Sequence, residues 1–258
     1  IVGGGVAGCL MYYLLSSVGK KVILFNDSAN SGSSHIAAGL INPITGRKFV
    51  KSWNIGVLLE SANRSYQRIE REYSIKFRHE VQVIRVLKTL EMINEWSARE
   101  IDKLYAEYIV KSGVKLPDSI QSKAISYGLI DQGMRIDFKP IMDLARQLAE
   151  KDGLFYDQKF DADEVVHHGT HMTYQDMQFN HVIFCEGSEV RNNPLWNWIP
   201  LVPAKGERLI IHAPDLQLPH VYNDGKIIIP LDDDHYWVGS NYEWKTLEII
   251  FHAHYAVL

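Results

Sequence analysis

The chain has 258 residues, of which 46% are hydrophobic, 22% charged and 11% aromatic, and its formal net charge is −4. That length carries one large domain or two small ones with a substantial core, and the composition excludes a disordered, collagenous or disulfide-scaffold chain. Two cysteines, Cys9 and Cys185, build no disulfide framework, and the charge balance gives no strong basic field to hold nucleic acid or an anionic membrane.

Residues 1–25 read as strand, tight turn, helix, strand. Ile1-Val2 reads as the last part of a strand whose start precedes it, and 251–258 stop in mid-pattern with no cap. The opening residues lack the basic leader of a signal peptide, no apolar run reaches the roughly 18 to 20 residues of a spanning helix, and a cytoplasmic, reducing compartment is expected. An apolar helix (Leu10, Met11, Tyr13, Leu14, Leu15) ends near Gly19, and Lys21-Val22-Ile23-Leu24-Phe25 has the apolar, β-branched character of a strand buried on both faces.

Residues 27–53 read as a long ordered loop with one short helix. Helical periodicity marks 55–73 (Val57, Leu58, Ala62, Tyr66, Ile69) and 89–108 (Leu90, Ile93, Trp96, Ile101, Leu104, Tyr108), with a strand over 80–87 between them. Residues 124–136 read as one or two strands interrupted at Gly128 and Gly133. An amphipathic helix spans 138–152, with Asp137 as N-cap, Pro140 in its first turn and Gly153 at its end. Strands are expected at 154–160, 164–174 and 181–185. A Trp- and Pro-rich crossing segment follows over 194–203, then strand-like pieces over 207–244 with turns at Asn223-Asp224-Gly225 and Asp232-Asp233-Asp234.

The glycine pattern carries the chemistry. Gly3-x-Gly5-x-x-Gly8 follows a strand and opens a helix. The first Gly permits the tight turn, the second lets a pyrophosphate approach the backbone, and the third lets helix and strand pack closely. The helix N-terminus, starting at Val6 and Ala7, then offers N–H groups and a positive dipole end to phosphate. An acid that binds the adenosine ribose hydroxyls is expected at the end of the second strand. That position holds Asn26, followed by Asp27, so either Asn26 acts as a neutral acceptor or Asp27 reaches in.

The loop Ser33-Ser34-His35-Ile36-Ala37-Ala38-Gly39-Leu40-Ile41-Asn42-Pro43 adds small residues that let a flat ligand lie against backbone, and hydroxyls that bond phosphate. With the glycine unit before it, this stretch resembles the glycine/D-amino-acid oxidase (DAO) family of FAD-dependent oxidoreductases. The resemblance implies an α/β fold: a Rossmann-like FAD/NAD(P)-binding domain over 1–53 and 138–200, interleaved with a mixed-sheet substrate domain over 54–137 and 201–258. It implies FAD as cofactor, with Ser33 or Ser34 on the pyrophosphate and Ala38, Gly39, Leu40 and Ile41 bordering the isoalloxazine ring. It implies an adenine edge bonded by backbone at Phe160, and a strand Val182-Ile183-Phe184-Cys185-Glu186 turning at Gly187 beside the nucleotide. Pro203-Ala204-Lys205-Gly206-Glu207, 227–230 and Tyr236-Trp237-Val238-Gly239-Ser240 resemble the family's substrate-domain strands. The family's C-terminal segment, which often supplies an arginine for the substrate carboxylate, has no counterpart in these residues.

The activity so implied is oxidation of the C–N bond of a small amine or amino acid by hydride transfer to flavin, with the electron acceptor open. No catalytic triad is needed. Arg47 is the candidate carboxylate holder, because its planar fork suits a carboxylate, and Tyr236 and Trp237 are candidates to line a substrate cavity. His35 stands one residue out of register for attaching flavin covalently, because Ile36 intervenes before Ala37. No metal is expected: His167, His168 and His171 lack a carboxylate set, and Asp232-Asp233-Asp234 reads as a solvated turn. Cys185, Met142 and Trp96 read as core. Two other readings stand beside the first, a flavoenzyme domain acting on a modified tRNA base and a non-catalytic dinucleotide-binding module.

Overall fold

The computed structural model describes residues 1–29, 32–110, 116, 120, 124–232, 234–241 and 255–257. In chain order the elements are α1 (Val6–Ser16), β1 (Leu24–Asn26), β2 (Leu40–Ile41), β3 (Ile44–Thr45), β4 (Val50–Lys51), α2 (Ile55–Tyr73), β5 (Arg78–Leu87), α3 (Leu90–Ile101), β6 (Ile109–Val110), β7 (Ser126–Ile136), α4 (Phe138–Lys151) and β8 (Phe155–Asp157). They continue with β9 (Val166–His167), β10 (Met172–Tyr174), β11 (Met177–Phe179), β12 (Arg208–His212), β13 (Val221–Asn223), β14 (Ile227–Pro230), β15 (His235–Gly239) and β16 (Tyr255–Val257). Short 3-10 turns lie at Ser33–His35, Lys103–Tyr105, Ala162–Glu164 and Gly187–Asn192. None of the described helices is long and apolar enough to cross a membrane.

The chain divides into two compact units, Ile1–Ala37 with Asp137–Pro203, and Ala38–Ile136 with Ala204–Leu258. The first break falls at Ala37/Ala38, ahead of the expected residue 53, because β2 pairs antiparallel with β7 through Leu40–Arg135 and Ile41–Met134. In the first unit β1 and β8 run parallel, and Val2 extends the ladder by bridging Phe25 on one side and Phe184 on the other. The parallel pairing of Val2 with Phe25 follows from the helical crossover α1 that joins them. Its core joins Val2, Phe25, Phe160 and Tyr174, whose aromatic rings pack with centroids 4.3 to 5.6 Å apart. The Asp137 carboxylate accepts from the Lys139 amide at 3.2 Å and caps α4 as its sequence requires.

The second unit is a mixed sheet ordered β16-β12-β15-β14-β13-β5-β7-β2, with β6 also on β7. Alternation along β5 sends Ile84 and Val86 into one core with Ile211, Leu218, Tyr222 and Tyr236.

Several sequence expectations change in detail. The 27–53 loop contains three two-residue strands besides its 3-10 turn. On α2 the buried residues are Ile55, Leu59 and Ile69, while Val57 and Leu58 face solvent. The helix expected to reach 108 ends at Ile101, where Asp102 leaves the helical region and caps the next turn through the Leu104 amide at 2.9 Å. Strand β7 runs through Gly128 and Gly133 unbroken, because the first makes room for the Trp96 ring and the second for the Val81 carbonyl. The 164–174 stretch is a hairpin of β9 and β10 rather than one strand. Met142 and Trp96 are core, whereas Cys185 is half-buried.

Candidate functional site

The site is built in the first unit where strand meets helix. The Val2 amide donates to the Ile183 carbonyl, Gly3 to Phe25, and Cys185 to Val2, so the turn leaves the sheet with its backbone fixed on both sides. A Cβ at Gly3 would overlap the Cys185 carbonyl oxygen, and the backbone there has φ +104°, so only glycine fits. A Cβ at Gly8 would overlap the Gly3 carbonyl oxygen, which shows the third glycine performing its packing role.

Gly4 is the residue that pattern reading missed. Its amide donates to Asn26 Oδ1 at 3.0 Å, and a Cβ there would lie 2.6 Å from that oxygen. The middle of the Gly3-Gly4-Gly5 triplet looked like a spacer because the motif scores only its first, third and last positions. Asn26 Nδ2 also donates to Ser28 Oγ at 3.2 Å, so the side chain tied to the turn is the one expected at the ribose. Asp27 Oδ1 accepts from the Ala29 amide at 3.2 Å.

Ser34 comes back across the mouth of α1. Its Oγ accepts from the Val6 amide at 3.1 Å and lies 3.1 Å from where a Gly5 Cβ would stand. The helix end thus meets a hydroxyl whose own hydrogen has no acceptor among the described residues, with no acid in the first turn to oppose an anion. Ser33 opens the same 3-10 turn, whose last residue, His35, is exposed. Beneath the mouth, burial first, then the charge of Cys185 and Asp143, pushes the Cys9 thiol up to about 12, and its Sγ donates to the Gly4 carbonyl at 3.2 Å. It is a neutral packing group, not a nucleophile.

Of two further positions in this unit, one lies beyond the strand end expected to hold it and the other keeps its expected turn. β8 ends at Asp157, three residues before Phe160, and Phe160 is buried among Phe25, Tyr174 and Phe184. Gly187 opens a 3-10 turn with φ +57° just after Cys185. Asp157, which sequence reading passed over, accepts from the Ser28 amide at 2.9 Å. The neighbouring Gln158 Nε2 is buried without a partner among the described residues.

The second unit holds the remaining candidates. Gly39 has φ +67°, and a Cβ there would overlap the Ile136 carbonyl oxygen, so the Ala38-Gly39 backbone lies flush against β7 ahead of Leu40 and Ile41. Arg47 is exposed in the turn between β3 and β4. Tyr236 is 1% exposed, and its hydroxyl accepts from the Leu218 amide at 3.4 Å. Trp237 is also buried, with its ring against Gly239. Both side chains are buried, on opposite faces of the sheet as strand alternation requires.

The histidines at 167, 168 and 171 lie on the β9–β10 hairpin, where His168 and His171 stack and His168 bonds Thr173 Oγ1 at 3.0 Å. Among the described residues no group of three or more His, Cys, Asp or Glu side chains is arranged to hold a metal. Asp233 lies outside the described residues, and Asp232 accepts from the amides of Asp234 and His235 as a turn residue does.

Comparison with known proteins identifies the family and the fold. The family profile described as DAO, FAD dependent oxidoreductase, matches residues 1–255. Glycine oxidase from Geobacillus kaustophilus superposes with a TM-score of 0.75 at 17% identity, covering 96% of this chain and 71% of that one. Iminodiacetate oxidase from Chelativorans sp. BNC1 gives 0.65 at 15% identity, covering 94% and 71%. FAD-bound L-α-glycerophosphate oxidase from Mycoplasma pneumoniae gives 0.58 at 17% identity, covering 94% and 70%.

Proposed function

Because this chain belongs to the DAO family of FAD-dependent oxidoreductases, we propose that it oxidises the C–N bond of a small amine or amino acid. The observation that carries the cofactor's place is the strand–glycine turn–helix mouth closed by Ser34. A Cβ at Gly3, Gly4 or Gly8 would overlap the protein's own atoms and one at Gly5 would crowd Ser34, so the turn stays bare, and the Val6 amide and Ser34 hydroxyl meet at the helix end. These residues fit a dinucleotide pyrophosphate.

In this reading, Ile1–Ala37 with Asp137–Pro203 is the FAD domain and the other unit is the substrate domain. Gly3, Gly5, Val6, Ala7, Gly8, Ser33 and Ser34 hold the pyrophosphate. Asn26, Asp27, Phe160 and Gly187 border the adenosine, and Ala38, Gly39, Leu40 and Ile41 border the ring. When bound, FAD supplies the acceptor for the hydride leaving the substrate carbon. The chain's own work is to orient and to exclude water. The Ala38-Gly39 backbone, free of bulk, lets a flat ring system lie close to the sheet, and Arg47 is the guanidinium nearest in sequence to that surface for a substrate carboxylate. No side chain is assigned a proton transfer, since an amine that arrives neutral needs none. The free thiols Cys9 and Cys185 suit a reducing, cytoplasmic setting.

The test is anaerobic titration of the flavin-loaded protein with a panel of amino acids and N-substituted glycines, read by visible absorbance. Bleaching by one or more members is expected. Persistence of the oxidised spectrum with every member overturns the amine assignment, and bleaching only when modified tRNA is added would replace it.

A further inference from the structure

We propose that Asp157, at the carboxyl end of β8, is the carboxylate that recognises the adenosine ribose hydroxyls in this chain. The proposal rests on the FAD reading above and names the residue that replaces the missing acid of the second strand. At position 26 the chain has a neutral amide, and both ends of that amide are already engaged: Oδ1 accepts from Gly4 and Nδ2 donates to Ser28 Oγ. A ribose hydroxyl gains more from an ionised acceptor, because charge-assisted hydrogen bonds are roughly twice as strong as neutral ones.

Asp157 is placed to be that acceptor. It is the register partner of Asn26 in the parallel β1–β8 ladder, so the two residues lie about 4.8 Å apart across the sheet. Both leave the sheet at its carboxyl end, where nucleotides bind in α/β folds. The side chain is solvent-accessible. Its Oδ1 accepts from the Ser28 amide at 2.9 Å, and the Ser28 hydroxyl donates to the same carboxylate. A carboxylate has about four acceptor sites, so those two bonds leave room for a vicinal diol.

The connections then run in one line: Asp157 to Ser28, Ser28 to Asn26, Asn26 to the Gly4 amide. That line joins the proposed ribose acceptor to the turn whose helix receives the pyrophosphate, and so sets the spacing between the two. The buried Gln158 Nε2 beside it has no partner among the described residues and marks the same strand end as polar beyond structural need. Asp27, the other acid at hand, folds back on its own turn through the Ala29 amide.

The test titrates the deflavinated full chain with FAD, ADP and 2′,3′-dideoxy-ADP by calorimetry, in the wild type, D157N and D27N. The wild type is expected to prefer ADP over the dideoxy compound by about 10-fold or more. D157N keeps an oxygen for the Ser28 amide and is expected to fold. It should lose about 10-fold in ADP and FAD affinity, bind the dideoxy compound as the wild type does, and show no remaining preference. D27N should change ADP and dideoxy-ADP binding alike and so keep the preference, since Asp27 borders the adenosine with its carboxylate turned to the Ala29 amide. If the wild type binds ADP but ignores the diol, or if D27N rather than D157N abolishes the preference, the proposal is overturned while the FAD reading stands. If the wild type binds neither FAD nor ADP, both fall.

Discussion

Gly4 and Asn26 form a pair in which each residue explains the other. The glycine is required because the amide oxygen takes the space of its Cβ, and the amide is held because the glycine N–H points at it. G4A should therefore weaken FAD retention, and N26A in the same chain should restore part of it by vacating the space. Additive losses in the double variant would contradict that coupling. S34A removes the hydroxyl at the mouth of α1 and should weaken FAD about 3- to 10-fold in an equilibrium titration, the range of one neutral hydrogen bond.

Titration separates two further residues. The Ser28 amide first, then the Ser28 hydroxyl, hold the Asp157 carboxyl below the usual carboxylate range. Its bonds are thus complete above the unfolded-state value and fade as pH falls through the folded one. FAD affinity should fall with pH across the carboxylate range in the wild type and less in D157N. Cys9 works in the opposite sense, since burial favours its neutral thiol. Its contribution is complete below the ordinary thiol value of 9.0 and is lost as pH rises toward about 12. Chemical denaturation between those limits should show a decline in stability that C9A flattens, and an equal decline in C9A would contradict it.

At the scale of elements, the parts that periodicity and caps specify were legible. α2 and α4 occupy the expected residues because Asp137 caps the latter through the Lys139 amide and Ser74 ends the former in the left-handed region. D137A should cost about 1 kcal/mol in urea denaturation. The join of α2 to β5 depends on one acid. Burial would raise the Glu70 pKa, but the Phe77 and Arg78 amides, with the charges of Lys76 and Arg78, outweigh it and lower it. E70A leaves those two amides without their acceptor and removes the 3.7 Å ion pair to Arg78, whose guanidinium keeps Asn63 and Glu80, and should cost about 2–3 kcal/mol. What could not be read were features set by distant contact. Gly128 looks like a strand break until Trp96 of α3 is seen lying over it. The β2–β7 pairing, which carries Leu40 and Ile41 into the mixed sheet, joins segments almost a hundred residues apart and has no local signal.

Over the whole molecule, the order strand–glycine turn–helix–strand pointed to dinucleotide binding, because backbone approach there needs small residues, while the fold class and FAD came from the family resemblance that this order and the Ala-Ala-Gly loop carry. Asp157 and Tyr236 show the limit. Nothing in a strand's sequence tells which of its polar ends meets a neighbouring strand's turn, or which of its aromatics lies on a covered face. The chain crosses between its two units at Ala37/Ala38, Ile136/Asp137 and Pro203/Ala204, so each unit is completed only by distant segments.

If FAD sits on the glycine turn at the head of α1, a side chain in that turn must empty the protein of flavin. The direct measurement is the flavin content of the purified protein, by visible absorbance after gel filtration, in the wild type and in G8V, whose side chain would collide with the Gly3 carbonyl. One FAD per wild-type chain and essentially none in G8V are expected. A colourless wild type expressed with ample flavin, or a folded G8V that retains full flavin, would contradict that placement.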